Sequence, residues 1–283
     1  VTSRTANEIF ADADQRGLRR VLIVTAIALE MRAVRAHLEA LGDKTLRNHQ
    51  IVELGSFSSD GEDCLVVVAE SRAGNLEAQA SVIYPAQECG PFDMIIFVGV
   101  AGSRKKDVPI GSVVASSKIY SPYSGKYEGS EFNARAAVFP ADQVLVQLAT
   151  KVERDGEWVD RIRPALRGSL PSIDDYPKPY PPGAVIAPIV SVEAVSADAT
   201  SQLETQISKH CGDAQAIEME GYGALSAARQ ESTPAIVIRG ISDAREGKEH
   251  EKDAIYQPVA AAHAAAFAFE LISLRIKRYP SSS

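Results

Sequence analysis

The chain has 283 residues, 45% hydrophobic and 24% charged, enough apolar material to bury one large core. Its formal charge of −7 at pH 7 repels a phosphate backbone, so nucleic acid is not an expected partner. Cys64, Cys89 and Cys211 are too few and too scattered for a disulfide framework, and His37, His49, His210, His250 and His263 lack the close pairings of a zinc site. A cytoplasmic protein without metal or cofactor is expected.

Residues 1–17 carry Asp12, Asp14 and Arg16 where a signal peptide would be apolar; they are read as an N-terminal extension, and residues 18–279 as one domain. The first predicted strand, Val21–Ile27, runs into a predicted helix over Leu29–Leu41 and places Glu30 in its first turn. A carboxylate there answers the helix dipole or faces a ligand beyond the strand end; both readings fit. A strand over Cys64–Ala69 leads through a loop with Arg72 to a helix over Asn75–Cys89. The strand Met94–Val100 ends in Ala101, Gly102 and Ser103, small residues that let a flat ligand approach the backbone, and Arg104, Lys105 and Lys106 follow. A strand over Ser112–Ser117, a loop with Arg135 and a helix over Ala141–Asp155 come next.

Seven prolines between Pro164 and Pro188 predict an extended loop over residues 164–188, overlapping the start of a strand over Gly183–Ser191. A helix over Ala199–His210 precedes the strand Ala214–Glu218, where Glu218 and Glu220 share a face if the strand persists. Buried carboxylates need partners such as a sugar hydroxyl or an arginine. After a helix over Gly221–Glu231, whose Gly221 and Gly223 are read as close helix-to-strand packing, the strand Ala235–Ile241 brings Arg239, Ser242 and Asp243 to its end, where an ion pair and a helix cap are the bland alternative. The last helix, Pro258–Lys277, is Ala-rich but interrupted by His263, Glu270 and Arg275; it is read as core packing, with Pro258 at its first position and no membrane partner. Short β-branched runs alternating with amphipathic segments predict a mainly parallel sheet with helices on its faces.

Thr25-Ala26-Ile27-Ala28-Leu29-Glu30, Gly99-Val100-Ala101-Gly102, Ile217-Glu218-Met219-Glu220-Gly221 and Arg239-Gly240-Ile241-Ser242-Asp243 together resemble the methylthioadenosine/S-adenosylhomocysteine nucleosidases of the nucleoside phosphorylase and nucleosidase superfamily. The resemblance spans roughly residues 20 to 276. It implies a single α/β domain with a mixed, partly barrel-like central sheet surrounded by helices, assembled as a homo-oligomer (dimer or hexamer), and a purine N-ribosyl hydrolase acting on a small purine nucleoside or nucleotide. By the same resemblance Asp243 is the general acid toward N7 and Glu30 orients the attacking water. Glu220 takes the ribose hydroxyls and Met219 packs on the sugar. Ser242 and Arg239 support Asp243 and the neighbouring carboxylates, Ala101 and Gly102 flank the base, and Glu218 and Ser196 are further candidate substrate-binding residues.

Two departures matter. Where the family has a Phe after Ser-Gly-Asp-Ala, this chain reads Ser191-Val192-Glu193-Ala194-Val195-Ser196, which removes the stacking aromatic and leaves Tyr222 as a substitute. With the stretch Val192-Glu193-Ala194-Val195-Ser196-Ala197-Asp198-Ala199 and the tail from Gly247-Lys248 through Phe267-Ala268-Phe269-Glu270, the chain also resembles the nucleosidase-like effector domains of bacterial antiphage systems, some of which hydrolyse ATP to adenine and ribose triphosphate. That branch gives Arg72, Arg104, Lys105, Lys106 and Arg135 an expected role in holding a 5′-phosphate, against a solvated surface cluster. A phosphorolytic purine nucleoside phosphorylase and a non-enzymatic nucleotide-binding module of the same fold are the alternatives. Glu30 disfavours the first by repelling phosphate.

Overall fold

The computed structural model describes residues 4–129, 131–162, 179, 181–194, 201–244 and 250–278. Helix α1 (Ala6–Gln15) starts at a capping box in which Thr5 and Glu8 satisfy each other's backbone N–H groups, and it buries Ile9 and Ala13. Part of the predicted extension therefore contributes to the core. Then follow β1 (Arg19–Thr25), α2 (Ala28–Arg35), β2 (Glu39–Thr45), β3 (Ile51–Ser59), β4 (Glu62–Glu70) and α3 (Asn75–Cys89). The middle of the chain forms β5 (Met94–Ser103), β6 (Val113–Ser121), the hairpin β7 (Gly125–Glu128) and β8 (Glu131–Ala134), β9 (Ala137–Pro140) and α4 (Gln143–Asp155). The last part forms β10 (Ala184–Ser191), α5 (Gln202–His210), β11 (Ala216–Glu218), α6 (Gly221–Gln230), β12 (Ala235–Ala244) and α7 (His250–Arg278).

One mixed sheet runs in the order β11-β10-β6-β12-β5-β1-β4-β3-β2, and β11 pairs back onto β5 through Ala216–Ser103 and Ile217–Gly102. That last pairing closes β5, β12, β6, β10 and β11 into a barrel-like ring, while β1 to β4 extend it as an open sheet. Alternate residues of each central strand face opposite sides. Val21 and Ile23 join the core under α7, whereas Leu22 and Val24 join the core shared with α1, α3 and α6.

Four expectations are corrected. The predicted helix to Leu41 stops at Arg35, and Glu39–Thr45 becomes β2 because it pairs antiparallel with β3 from Thr45–Ile51 to Glu39–Ser56. Pairing overrides the helix-forming Glu-Ala-Leu pattern. Residues 184–188 of the predicted loop belong to β10, and Pro188 sits where the register with β6 slips, a place that tolerates a missing donor. Residues 164–178 and 180 of that stretch lie outside the described residues. Helix α7 begins at His250, so Pro258 lies inside it rather than at its first position. Of its most apolar 18-residue window, 89% is buried in the core, although length and composition alone would suit a membrane span. Gly223, read as helix-to-strand packing, instead lets α6 approach α3: an added Cβ would lie 1.9 Å from the Asn75 carbonyl oxygen.

Candidate active site

The carboxyl ends of β1, β5, β11 and β12 surround a cavity of about 340 Å³, the crevice in which open α/β sheets hold ligands. Glu30 enters it from the first turn of α2 yet is only 2% exposed. Its Oε2 accepts the backbone N–H groups of Ala26 (2.7 Å) and Ile27 (3.2 Å), and its Oε1 accepts that of Val100 (2.8 Å). Burial strips water from this carboxylate and raises its pKa above the usual range, against the opposing pull of Arg239 and the three N–H groups. Room for the pair comes from Gly99, where a Cβ would lie 2.0 Å from Arg239 Nη1 and 2.5 Å from Glu30 Oε1.

Arg239, fully buried on β12, gathers the carboxylates. Its Nη2 donates to Glu218 and, at 3.0 Å, to Glu220, while Nη1 lies 4.0 Å from Glu30. The guanidinium also lies over the Phe97 ring, 4.5 Å from its centroid. Burial opposes its charge, but the three carboxylates outweigh that and hold its pKa above the ordinary value. Strand β11 ends at Glu218, so Glu218 and Glu220 do not share a strand face. The chain turns at Met219, and Glu218 Oε2 accepts the N–H groups of Glu220 (3.0 Å) and Gly221 (2.8 Å), tying down the start of α6. The two carboxylates converge on Arg239, and both line the cavity. Glu220 Oε1 accepts from Gly74 N–H at 3.1 Å, a partner that the sequence did not reveal.

Burial pushes the Glu220 carboxyl up to about 7, opposed by Arg239 and reinforced by Glu218. The unfolded reference is 4.5, so across that window the folded state holds a proton the unfolded chain has lost. The resulting stability is complete below pH 4.5 and disappears as pH rises through about 7. Glu220→Gln cannot titrate. Its melting temperature should therefore gain on wild type as pH is raised from 5 to 8, and a constant difference across that range would refute the assignment.

Asp243 reaches the cavity through a bulge. The β12–β5 register slips between Ile241 and Asp243, re-aiming the strand end so that Asp243 stands opposite Gly102. Asp243 Oδ1 is 2.9 Å from where a Gly102 Cβ would be, so a larger residue at 102 would push the carboxyl from its place. The Ser242 hydroxyl donates to Asp243 Oδ2 at 3.1 Å and lies 3.5 Å from the Ala101 carbonyl. Ala101, Met219 and Ile217 add apolar wall. Ser196 lies outside the described residues. Among the described residues no aromatic lines the cavity; Tyr222 packs edge-on against Phe139, 5.0 Å between centroids, and is not the substitute stacking ring.

The expected phosphate-binding set does not assemble. Arg104 alone of the five lines the cavity, and its Nη1 donates to both carboxylate oxygens of Glu204, at 2.9 and 3.2 Å. Lys105 donates to the Gly212 carbonyl at 2.8 Å, and Lys106, Arg72 and Arg135 are exposed and off the cavity wall. A run of basic residues on a loop fixes their charge but not their direction. Asn75 is a support that the sequence reading missed: it donates to Glu193 Oε1 (2.7 Å) and accepts from Ser191 Oγ and Gly223 N–H, joining α3, β10 and α6 behind the cavity.

A closed mixed sheet thus carries an acid, three carboxylates and an arginine together at its strand ends. Residues 20–273 match the Phosphorylase superfamily, and the chain belongs to that family. It is 27% identical over 234 residues to the ATP nucleosidase Cap17 of Escherichia coli, covering 79% of this chain and 45% of that protein. With the 5′-methylthioadenosine/S-adenosylhomocysteine nucleosidase of Haemophilus influenzae it shares 24% identity over 258 residues, 89% of this chain and 98% of that one. The corresponding Neisseria meningitidis enzyme, crystallised with methylthio-immucillin-A, has the same fold at a TM-score of 0.67 and 20% identity, covering 91% of this chain and 100% of that chain. The chain spans about half the length of the ATP nucleosidases it matches.

Proposed function

We propose that this protein is a purine N-ribosyl hydrolase that releases adenine from an adenine nucleoside or nucleotide. The observation that carries the reading is the meeting of Asp243, Glu30 and Glu220 on one cavity wall. In the proposed reaction Asp243 donates a proton to N7 as the C1′–N9 bond breaks, and the sugar develops positive charge. Glu30 accepts a proton from water as its oxygen bonds C1′. Three carboxylates against one guanidinium leave an excess of negative charge where that cation forms. Glu220, anchored by Gly74 and Arg239, keeps lone pairs for the ribose hydroxyls. Hydrolysis is favoured over phosphorolysis because buried Glu30 would repel a phosphate nucleophile. The names of the relatives support adenine as the base. Assembly as a homo-oligomer in the cytoplasm and a role as an antiphage effector belong to the same proposal. Free adenine should appear in phosphate-free buffer, and comparing ATP, AMP, adenosine, methylthioadenosine and S-adenosylhomocysteine ranks the tails; no release from any of them refutes it.

Glu30→Gln should lower adenine release per folded molecule about 100-fold or more. It should also destabilise the fold by about 1–3 kcal/mol, because the amide nitrogen must face an N–H group that the carboxylate now accepts. Thermal melting and turnover on the same sample check both effects. Near-normal turnover per folded molecule would leave Glu30 with a purely structural role.

A further inference from the structure

The cavity has an order along β5. Arg239 and Glu30 meet at Gly99, Asp243 stands at Gly102, and the buried Arg104–Glu204 pair lies beyond, with both partners on the wall. A strand advances about 3.3 Å per residue, so the acid is about 10 Å past the carboxylate cluster and the ion pair about 7 Å past the acid. On the proposed hydrolase reading the ribose lies by Glu220 and Glu30 and N7 by Asp243. The far edge of the base then points at Arg104 and Glu204, away from the 5′ carbon.

We propose that the Arg104–Glu204 pair reads the far edge of the purine, and so determines base specificity, rather than holding a phosphate. The chemistry is complementary: adenine presents there an amino donor and the N1 acceptor, and the pair presents a carboxylate acceptor and guanidinium donors. Arg104 spends only Nη1 on Glu204, and its Nη2 and Nε donate to no other described residue. Burial makes the selection strong, since a 6-oxopurine, with acceptor and donor exchanged, would leave desolvated polar groups mismatched. Pairing also explains why this cation is a poor anion site, because Glu204 already neutralises it.

The inference rests on the hydrolase reading for its orientation, so the test reads base binding separately from turnover. Calorimetry with free adenine and free hypoxanthine should show wild type preferring adenine by about 100-fold or more. Glu204→Gln offers both donor and acceptor and should reduce that preference below about tenfold. The double variant Arg104→Met, Glu204→Gln leaves no unpaired buried charge and should do the same if the single variant fails to fold. The ratio of turnover on ATP to turnover on adenosine should be unchanged in either variant. An adenine preference that survives both variants, a wild type without base preference, or a changed ATP-to-adenosine ratio overturns the proposal. Selective adenine binding without any hydrolysis would uphold the edge reader and sink the hydrolase.

Discussion

Asp243→Asn is expected to lower adenine release by about 10²- to 10⁴-fold while leaving ligand affinity within a few fold of wild type. The amide is nearly isosteric with the carboxyl and still fits beside Gly102, where the bulge of β12 fixes the backbone. Its oxygen can still accept from the Ser242 hydroxyl, so the side chain keeps its orientation. Its nitrogen can donate a hydrogen bond to N7 but cannot transfer a proton, and a purine anion is a poor leaving group. Binding therefore survives and the chemical step fails. Single-turnover release of adenine, with calorimetric binding of adenine on the same preparation, separates the two effects. Release near the wild-type rate would mean that the acid has been misassigned.

The sequence carried the strand ends further than it carried their connections. Strands at Arg19–Thr25, Glu62–Glu70, Met94–Ser103, Val113–Ser121 and Ala235–Ala244 were legible because buried central strands are continuous β-branched runs. Strand β2 was not, since Glu39–Thr45 acquires its conformation from β3 rather than from its own residues. The four motifs named for the site converge on one cavity because each follows the end of a neighbouring strand. Their partners were hidden by distance along the chain: Gly74 meets Glu220 across 146 positions and Arg104 meets Glu204 across 100. A local pattern cannot report such pairings. It also could not tell that Tyr222 turns from the cavity toward Phe139, because a position one residue into a helix leaves its direction open.

Arg239→Met should be the most destabilising single change at the site, by about 3–5 kcal/mol near neutral pH. Methionine preserves much of the volume and the contact with Phe97 but leaves Glu218, Glu220 and Glu30 buried together without their shared cation. For a domain of this size the melting temperature should fall on the order of 10 °C. The pH dependence distinguishes charge from packing. Arg239 opposes the rise in the pKa values of Glu30 and Glu220, so its removal raises both further. The variant's deficit should then shrink as pH falls toward 5, where Glu30 and Glu220 take up protons in the folded state, and grow again as pH rises through 7. Arg239→Lys, which restores the charge without the planar two-armed donor, should recover part of the stability and less of the activity. Melting curves of both variants from pH 5 to 8 provide the test. A deficit independent of pH would assign Arg239 to packing alone and remove the electrostatic basis for the cluster.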